Sequence, residues 1–525
     1  MLGQGKSSLS IWTAFQSVTT ATFRQLTCVV KISWNKIIGQ NAFGLVGTAI
    51  LNTSIIQGQL STVTPTESFD YFDESENVMT LSYDRQLVEP LSGISYAMGD
   101  VKLDNTNSRF TPSINSTIGT ALIPYRPIQI FVGFKSVKGQ DKVLPVLKGL
   151  TLQPRSDKIT KTTTIQVVDY IDWLSDKRIE KAVYIDQRTD QIIEDILTTA
   201  GFGSSQFSLD VGLNTIGYAF FEEGATAGKR IQQLAESEEG HFFQDEEGIL
   251  RFHNRRRYNV SPQNTVQMTL RKPNIIFFER DNSREIINKV IVKAKPRQVS
   301  ATQLLWTHSI VEDIDPSSSI EIWATFDDPV TEITTPVATT DYTANTQSDG
   351  GGSDLTSDID VTVYLFANSA KITVTNNSLS TAYLTLLKLR GKEATIIQTI
   401  QQVYSDAVSI AKYEEREKII ENDFIDDSDF AYYLCRAIVL KYRNPEARYI
   451  MGVRGLPQLQ LKDKIAVEHP QTGAIENYRI MRVQGQLNPG SFTQKLYLRK
   501  VSAAESDSWA IVGSSTIEGA DTVGS

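Results

Sequence analysis

The chain has 525 residues, 40% hydrophobic and 22% charged, with a net charge of −9. Its length exceeds what one core supports and predicts about three to five folded units, while its ordinary composition excludes global disorder. The acidic balance (pI near 5.3) excludes a protein that grips nucleic acid through its phosphates, which requires a basic surface; a chain lining a path for DNA without holding it would be neutral or acidic.

Cys28 and Cys435 are the only cysteines. Two this far apart give no disulfide framework and fit a reducing cytosol. His241, His253, His308 and His469 are scattered and never at metal-ligand spacing. The N-terminus lacks the basic, apolar, small-residue pattern of a secretory signal. Ile37 to Thr66 carries no charge, but its glycines, asparagines and glutamines suit buried strands better than a membrane span.

In chain order, residues 1–26 read as an arm or short helix. From Thr27 to Val168 short runs of β-type alternation are punctuated by Pro65, Pro90, Pro112, Pro124, Pro127 and Pro145, which predicts a barrel or sandwich. Asp190–Gly201 and Ala227–Gly240 predict two amphipathic helices with glycine stops. A hairpin over His241–Phe252 turns at Asp245–Gly248. Strands are predicted at Asn288–Ala294 and Ile320–Phe326. Thr339 to Asp358 is rich in Thr, Ser, Asp and Gly and reads as an exposed flexible loop. Val361–Leu365, Lys371–Thr375 and Ala382–Leu389 predict a hairpin-rich β insertion, and Ser428–Tyr442, with its long apolar stripe, is the strongest helix signal, ended by Pro445. A last β region runs from Arg448 to Lys500, and Ser502–Ser525 reads as a mobile tail.

Two stretches echo each other. Val146–Ser156 continues into Thr162–Val168, and Ile480–Ser491 continues into Thr493–Leu498. Each predicts a strand, a Leu-(Gln/Asn)-Pro-x-Ser turn and a returning strand. Each also follows a shorter strand, Ile128–Phe134 in the first and Asp463–Glu468 in the second. The echo predicts one small barrel near each end of the chain.

Chemical signatures are scarce. Gly224–Lys229 has three residues between its glycines instead of four, Arg230 in place of Ser or Thr, and Glu222 and Glu223 just before it; it reads as a helix N-terminus rather than a phosphate loop. Asp104–Ser108 alternates oxygen ligands as a calcium loop does, but Arg109 and Asn115 stand where that loop needs glycine and glutamate, so a polar turn is predicted. Asp70–Glu76 is a carboxylate cluster that could hold a divalent ion or serve glycoside cleavage, without an evident sugar cleft. No Gly-x-Ser-x-Gly elbow, His-Glu-x-x-His or Cys/His pair is present. The pattern predicts a scaffold rather than an enzyme, with no catalytic, cofactor or metal residues.

Three runs resemble the trimeric hub proteins of phage tail tips and baseplates. Leu103-Asp-Asn105, Phe110-Thr-Pro112 and Tyr125-Arg-Pro-Ile-Gln-Ile-Phe-Val-Gly133 are similar to a run near that family's N-terminus, with Tyr71–Ser82 compatible upstream. Ile231–Phe252 looks like its helix-then-hairpin unit, and Gly455–Val467 resembles the lead into its second barrel. The resemblance implies a mainly β, α+β fold: two tube-like β-barrel domains flanking a small α+β unit, with a β-rich insertion. It implies residues 27–185 as the first barrel, 186–275 as the α+β unit, 276–330 and 390–501 with helix 428–443 as the second barrel, 331–389 as the insertion and 502–525 as the tail. It further implies a homotrimer, assembled in the host cytoplasm, that closes the virion's tail tube, adapts a threefold tip to a sixfold tube and gates DNA passage. Its expected partners are a distal tail or tail tube protein ring, a tape measure protein and tail fibre or receptor-binding proteins, with DNA only transiently in the lumen. The family's wall-cleaving or fibre-binding extension is not expected here. Alternatives are a β-rich adhesin or carbohydrate-binding tail protein, a hexameric distal tail protein, and a wall hydrolase using Asp70–Glu76.

Overall fold

The computed structural model describes residues 25–34, 71–88, 93–111, 118, 121–135, 141–179, 181–221, 224–281, 286–445 and 447–501. The N-terminal arm up to residue 24, the uncharged stretch Ile37–Thr66 and the tail from Ser502 lie outside the described residues. Among the described residues no helix is long and apolar enough to cross a membrane.

The N-terminal part contributes β1 (Gln25–Ile32), β2 (Phe72–Asp73), β3 (Val78–Gln86), β4 (Ala97–Asp104), β5 (Pro127–Lys135), β6 (Asp141–Thr151), β7 (Arg155–Asp157) and β8 (Thr162–Val168). The alternation seen in sequence is a burial alternation. In β3, Leu81, Tyr83 and Arg85 point into the core while Ser82, Asp84 and Gln86 face outward.

A small unit follows, with α1 (Tyr170–Asp176), β9 (Tyr184–Arg188), α2 (Thr189–Thr199), β10 (Phe207–Leu209), β11 (Thr215–Ala219), α3 (Ala227–Ser237), β12 (His241–Gln244) and β13 (Leu250–His253). The two predicted helices and the hairpin are present, the hairpin turning on Gly248 at φ +81°. Their apolar faces share one core with Ile171 and Leu174 of α1. Helix α1 therefore packs with this unit, although the sequence boundary at residue 185 put it with the first barrel.

Then come β14 (Val266–Leu270), β15 (Ile275–Asp281) and β16 (Lys289–Ala294), followed by β17 (Arg297–Val299), β18 (Gln303–Thr307), β19 (Glu312–Ile314), β20 (Ser318–Thr325), β21 (Val330–Ile333), β22 (Tyr342–Asn345), β23 (Ile359–Leu365), β24 (Ser369–Asn376) and β25 (Ala382–Ile396). The long β25 pairs in turn with β17, β18, β19, β21 and β22, and β20, β24 and β23 form a second sheet over the same core. The insertion thus begins near Arg297, not at residue 331, and the Ile320–Phe326 strand belongs to it, not to the second barrel. The stretch from Thr339 is not loop throughout: β22 pairs with β25, because Tyr342 and Ala344 are apolar enough to bury and Asp341 binds Arg390 through both oxygens at 2.6 and 2.7 Å.

Beyond it, β26 (Ile400–Ser405), α4 (Ala407–Tyr413), β27 (Glu417–Glu421) and α5 (Ser428–Tyr442) complete a module in which α5 packs on the β26–β16–β27 sheet. Asp427 caps α5 by accepting from Phe430 N at 2.8 Å. The predicted helix is thus present, but packed on this three-stranded sheet rather than inside a barrel. The chain closes with β28 (Arg448–Arg454), β29 (Lys464–Glu468), β30 (Ile475–Asn488) and β31 (Ser491–Lys500).

Candidate assembly surface

Fourteen of the described strands form a single sheet. It contains two six-stranded sets. In the first the spatial order is β3–β4–β8–β6–β5–β1, and in the second it is β15–β28–β31–β30–β29–β14. Ranked by position in the chain, both read second, third, sixth, fifth, fourth, first. The one difference is the outermost pair: β1 runs antiparallel to β5, whereas β14 runs parallel to β29. The echo is therefore a duplicated topology.

The duplicated turn is less uniform. In the second set the chain reverses at Pro489-Gly490, with Gly490 at φ +76°. In the first, Pro154 only breaks the run between β6 and β7, and the reversal comes later, at Lys158–Lys161. Proline has no N–H to give the ladder, while Asp157 accepts from Ile159 N at 2.8 Å and Thr160 Oγ1 at 2.7 Å and fixes the later turn. The expectation of matching Pro-centred turns is corrected for the first copy.

The two sets are joined by β3 and β30, antiparallel from Leu81↔Leu487 to Gln86↔Arg482. Strand two of the first set thus sits on strand five of the second. Behind this seam lies one core common to both sets, including Leu81, Tyr83, Val101, Val483, Leu487 and Leu496. Tyr83 accepts from Gln494 Nε2 at 2.9 Å within it. Gly485 is required here, since a Cβ would stand 2.1 Å from the Tyr83 ring.

The other side of the seam is polar. Cross-strand rows run Gln166–Asp100–Ser82–Gln486–Thr493 and Val168–Met98–Asp84–Gln484–Lys495, and all but their first members line a trough of about 560 Å³. Asp84 accepts from Arg482 Nε at 2.8 Å and Gln484 Nε2 at 2.9 Å. That carboxylate holds the Arg482 guanidinium above its usual range. With Asp84 and Asp100 set against Lys495 and Arg482, the surface is close to neutral, its amides and hydroxyls interrupted by the exposed side chains of Met98 and Ile276.

Among the described residues, β15, β14, β2 and β7 each have a strand on one side only, and two of these edges occupy matching positions in the two sets. β15 pairs only with β28, and the far edge of β7 has no strand beside it among the described residues. Residues 153–157 occupy the position on strand five that corresponds to the part of β30 taken by β3.

Where the first set, the middle unit and the second set meet, Arg85 reaches Glu246 at 3.1 Å and Gln460 Oε1 at 2.5 Å. Burial pushes Asp463 beside them up to about 7. Burial likewise raises Asp169 to about 7, although it caps α1 and accepts from Ala97 N at 2.6 Å. The sequence marked none of these groups.

Several of the residues weighed for chemistry hold structural contacts. Glu74, in the acidic run, is 1% exposed; it accepts from Trp34 Nε1 at 2.9 Å, Asn77 Nδ2 at 3.0 Å and Arg109 at 2.6 and 3.1 Å. Asp73 holds Ser75 N at 3.0 Å, and Asp70 lies outside the described residues. Asp104 and Asn107 cap their own turn. Asn105 bridges Phe110 N and Thr111 Oγ1 at 2.8 Å each, so part of the Leu-x-Asn…Phe run is a clamp over the first core. Thr226 accepts from Lys229 N as the cap of α3, which makes Gly224–Lys229 a helix start. Burial pushes the Cys28 and Cys435 thiols up to about 11, away from nucleophilic use. The missed feature, the seam, did have a local signal: a glycine in mid-strand at 485, marking close approach of another element.

No family model matches the chain, and no curated protein matches it. Solved structures to which it is similar include the tail protein from Neisseria meningitidis MC58, at 12% identity and a TM-score of 0.46 over 84% of this chain and 97% of that one. The 43 kDa tail protein of prophage MuSo2 from Shewanella oneidensis is 12% identical with a TM-score of 0.44, covering 82% of this chain and 95% of the other. Prophage tail protein gp18 from Listeria monocytogenes EGD-e is 11% identical with a TM-score of 0.37, covering 83% and 94%.

Proposed function

We propose that this chain is a structural hub of a phage tail tip, three copies of which join six near-equivalent strand sets into a ring at the distal end of the tail tube. The observation that carries this reading is the β3·β30 seam between two sets of identical strand order. The seam is head-to-tail, strand two on strand five. Repeating it between copies uses β15 of one chain and residues 153–157 of the next, the two open edges that stand at strand two and strand five. Head-to-tail joints close into rings when their rotation permits and otherwise run on as filaments; a sixfold tube, as the sequence resemblance implies, sets closure at three chains.

The polar, near-neutral face then lines the lumen, where a surface without excess positive charge lets DNA slide. A ring of tail tube or distal tail protein would stack on one end, with the tape measure protein threading the lumen and fibre or receptor-binding proteins outside. We assign no chemical step to the chain; Glu74, the buried carboxylate of its acidic run, holds Trp34, Asn77 and Arg109. Sedimentation and electron microscopy of the purified chain, alone and with tail tube rings, test the proposal. A threefold particle with six sheet segments around a channel is expected, and a chain that stays monomeric under both conditions refutes it.

A further inference from the structure

The β20–β24–β23 sheet of the insertion buries one face, with Ile322, Ile372 and Val374 in its core, and leaves the other to solvent. On the solvent face the cross-strand rows are Trp323–Lys371–Tyr364, Glu321–Thr373–Thr362 and Ser319–Thr375–Asp360. Two of these rows are what a solvated sheet face ordinarily shows. The first is not: Trp323 is 53% exposed and Tyr364 is 68% exposed, a large apolar area to leave in water. Phe366, just past β23, knits them together. Its ring lies 5.8 Å from Trp323 with 18° between the planes, and 5.3 Å from Tyr364 at 58°. Lys371, between the two edge strands, is held by Glu321 at 2.5 Å. The result is an aromatic ledge fixed by its own contacts and flanked by hydroxyls and one internally neutralised ion pair.

We propose that this ledge binds a neutral saccharide. The rings offer flat apolar surfaces to the C–H faces of pyranose units, and Glu321, Lys371, Thr362 and Thr373 offer donors and acceptors to sugar hydroxyls. Charge decides against other occupants. Lys371 is the only cation in the three rows and Glu321 answers it, while Asp360 adds a negative charge, so nucleic acid, anionic glycans and acidic membranes are disfavoured. A second protein packing on the sheet would need apolar rows to continue along the strands, but two of the three rows carry only hydroxyls and carboxylates. The inference does not depend on the ring, because the insertion stands outside the shared sheet.

The test presents the full-length chain to an array of neutral, sialylated and phosphorylated glycans, followed by calorimetric titration of the best ligand. Binding to neutral glycans is expected. Trp323→Ala and Tyr364→Ala should each weaken it by about tenfold or more without changing the melting curve, since both side chains point outward. Trp323→Phe, which keeps a ring, should retain most of the affinity and serves if the alanine variant melts early. Absence of neutral-glycan binding, preference for anionic glycans, or wild-type affinity in both alanine variants would overturn the proposal. So would a wild-type chain that binds no glycan while the alanine variants fail to join another protein of the particle.

Discussion

A pair of adjacent prolines separates the proposed inter-copy joint from the stability of the chain itself. In a strand, successive N–H groups point to opposite edges, so of Glu279 and Arg280 in β15 one donates toward β28 and the other toward the open edge. Both side chains are exposed. Proline facing the open edge is tolerated in an isolated chain, as on edge strands generally, whereas proline at the alternate position breaks the β15·β28 ladder. The seam within the chain pairs six residues. If each joint between copies resembles it, one proline per copy removes one hydrogen bond from each of three joints, at about 1 kcal/mol each. The sum of about 3 kcal/mol lowers the trimer association constant by more than about 100-fold. Melting curves at low concentration and sedimentation equilibrium across a concentration series read the two effects apart. One of Glu279→Pro and Arg280→Pro should lower the melting temperature, and the other should leave it unchanged and dissociate the trimer. If both variants melt early, or both assemble as the wild type does, β15 is not the joint.

Glu74→Leu should cost about 3–5 kcal/mol in urea unfolding, because it removes the buried carboxylate shared by Arg109, Asn77 and the Trp34 indole N–H; a loss below about 1 kcal/mol would mean that the cluster is solvated. Gly485→Ala should destabilise by about 1–3 kcal/mol through collision with the Tyr83 ring, and Tyr83→Leu should offset part of that, so a strictly additive double mutant would refute the contact. Asp463, raised to about 7 by burial, has a folded-state value above its unfolded one. Its contribution is complete below about pH 4 and is lost as pH rises toward 7. Asp463→Asn should therefore remove a decline of up to about 1.4 kcal/mol per pH unit across that window, seen by comparing unfolding free energies of the two proteins from pH 4 to 8; parallel curves would exclude it.

What the sequence disclosed and what it hid divide along contact distance. Helices α2, α3 and α5 announce themselves through local caps and 3.6-residue apolar spacing, and β23 to β25 through alternation, all properties of one segment. The β3·β30 pairing is different. Nothing in Leu81–Gln86 names Leu487–Arg482 as its partner, because strand pairing is set by a shared core far apart in the chain. The same blindness placed Ile320–Phe326 in the second barrel, when its ladder partner is Ser369–Asn376. It also left Glu74 among candidate ligands, since Trp34 and Arg109 lie far from it in sequence. The aromatic ledge was half visible: Ile320, Ile322 and Ala324 fall on one phase of β20 and Trp323 on the other. Only the sheet shows that Tyr364 and Phe366 meet it there.

The connections of the two sets differ in several places, and one difference bears on the assembly. Residues 282–447, with the two-sheet insertion and the α5 module, lie between strands two and three of the second set; the first set carries only a short connection between β3 and β4. In a ring of six sets those with and without this insertion between strands two and three would alternate. The inner wall, built from the strands common to both, would keep near-sixfold spacing, while the insertions would project at three positions. One gene product could then meet a sixfold tube through its shared strands and present three copies of a binding module through what is unique to the second set. This division explains why the strand order is kept so closely in both sets while the lengths of their connections are not. The core constrains the first, and only solvent or a partner constrains the second.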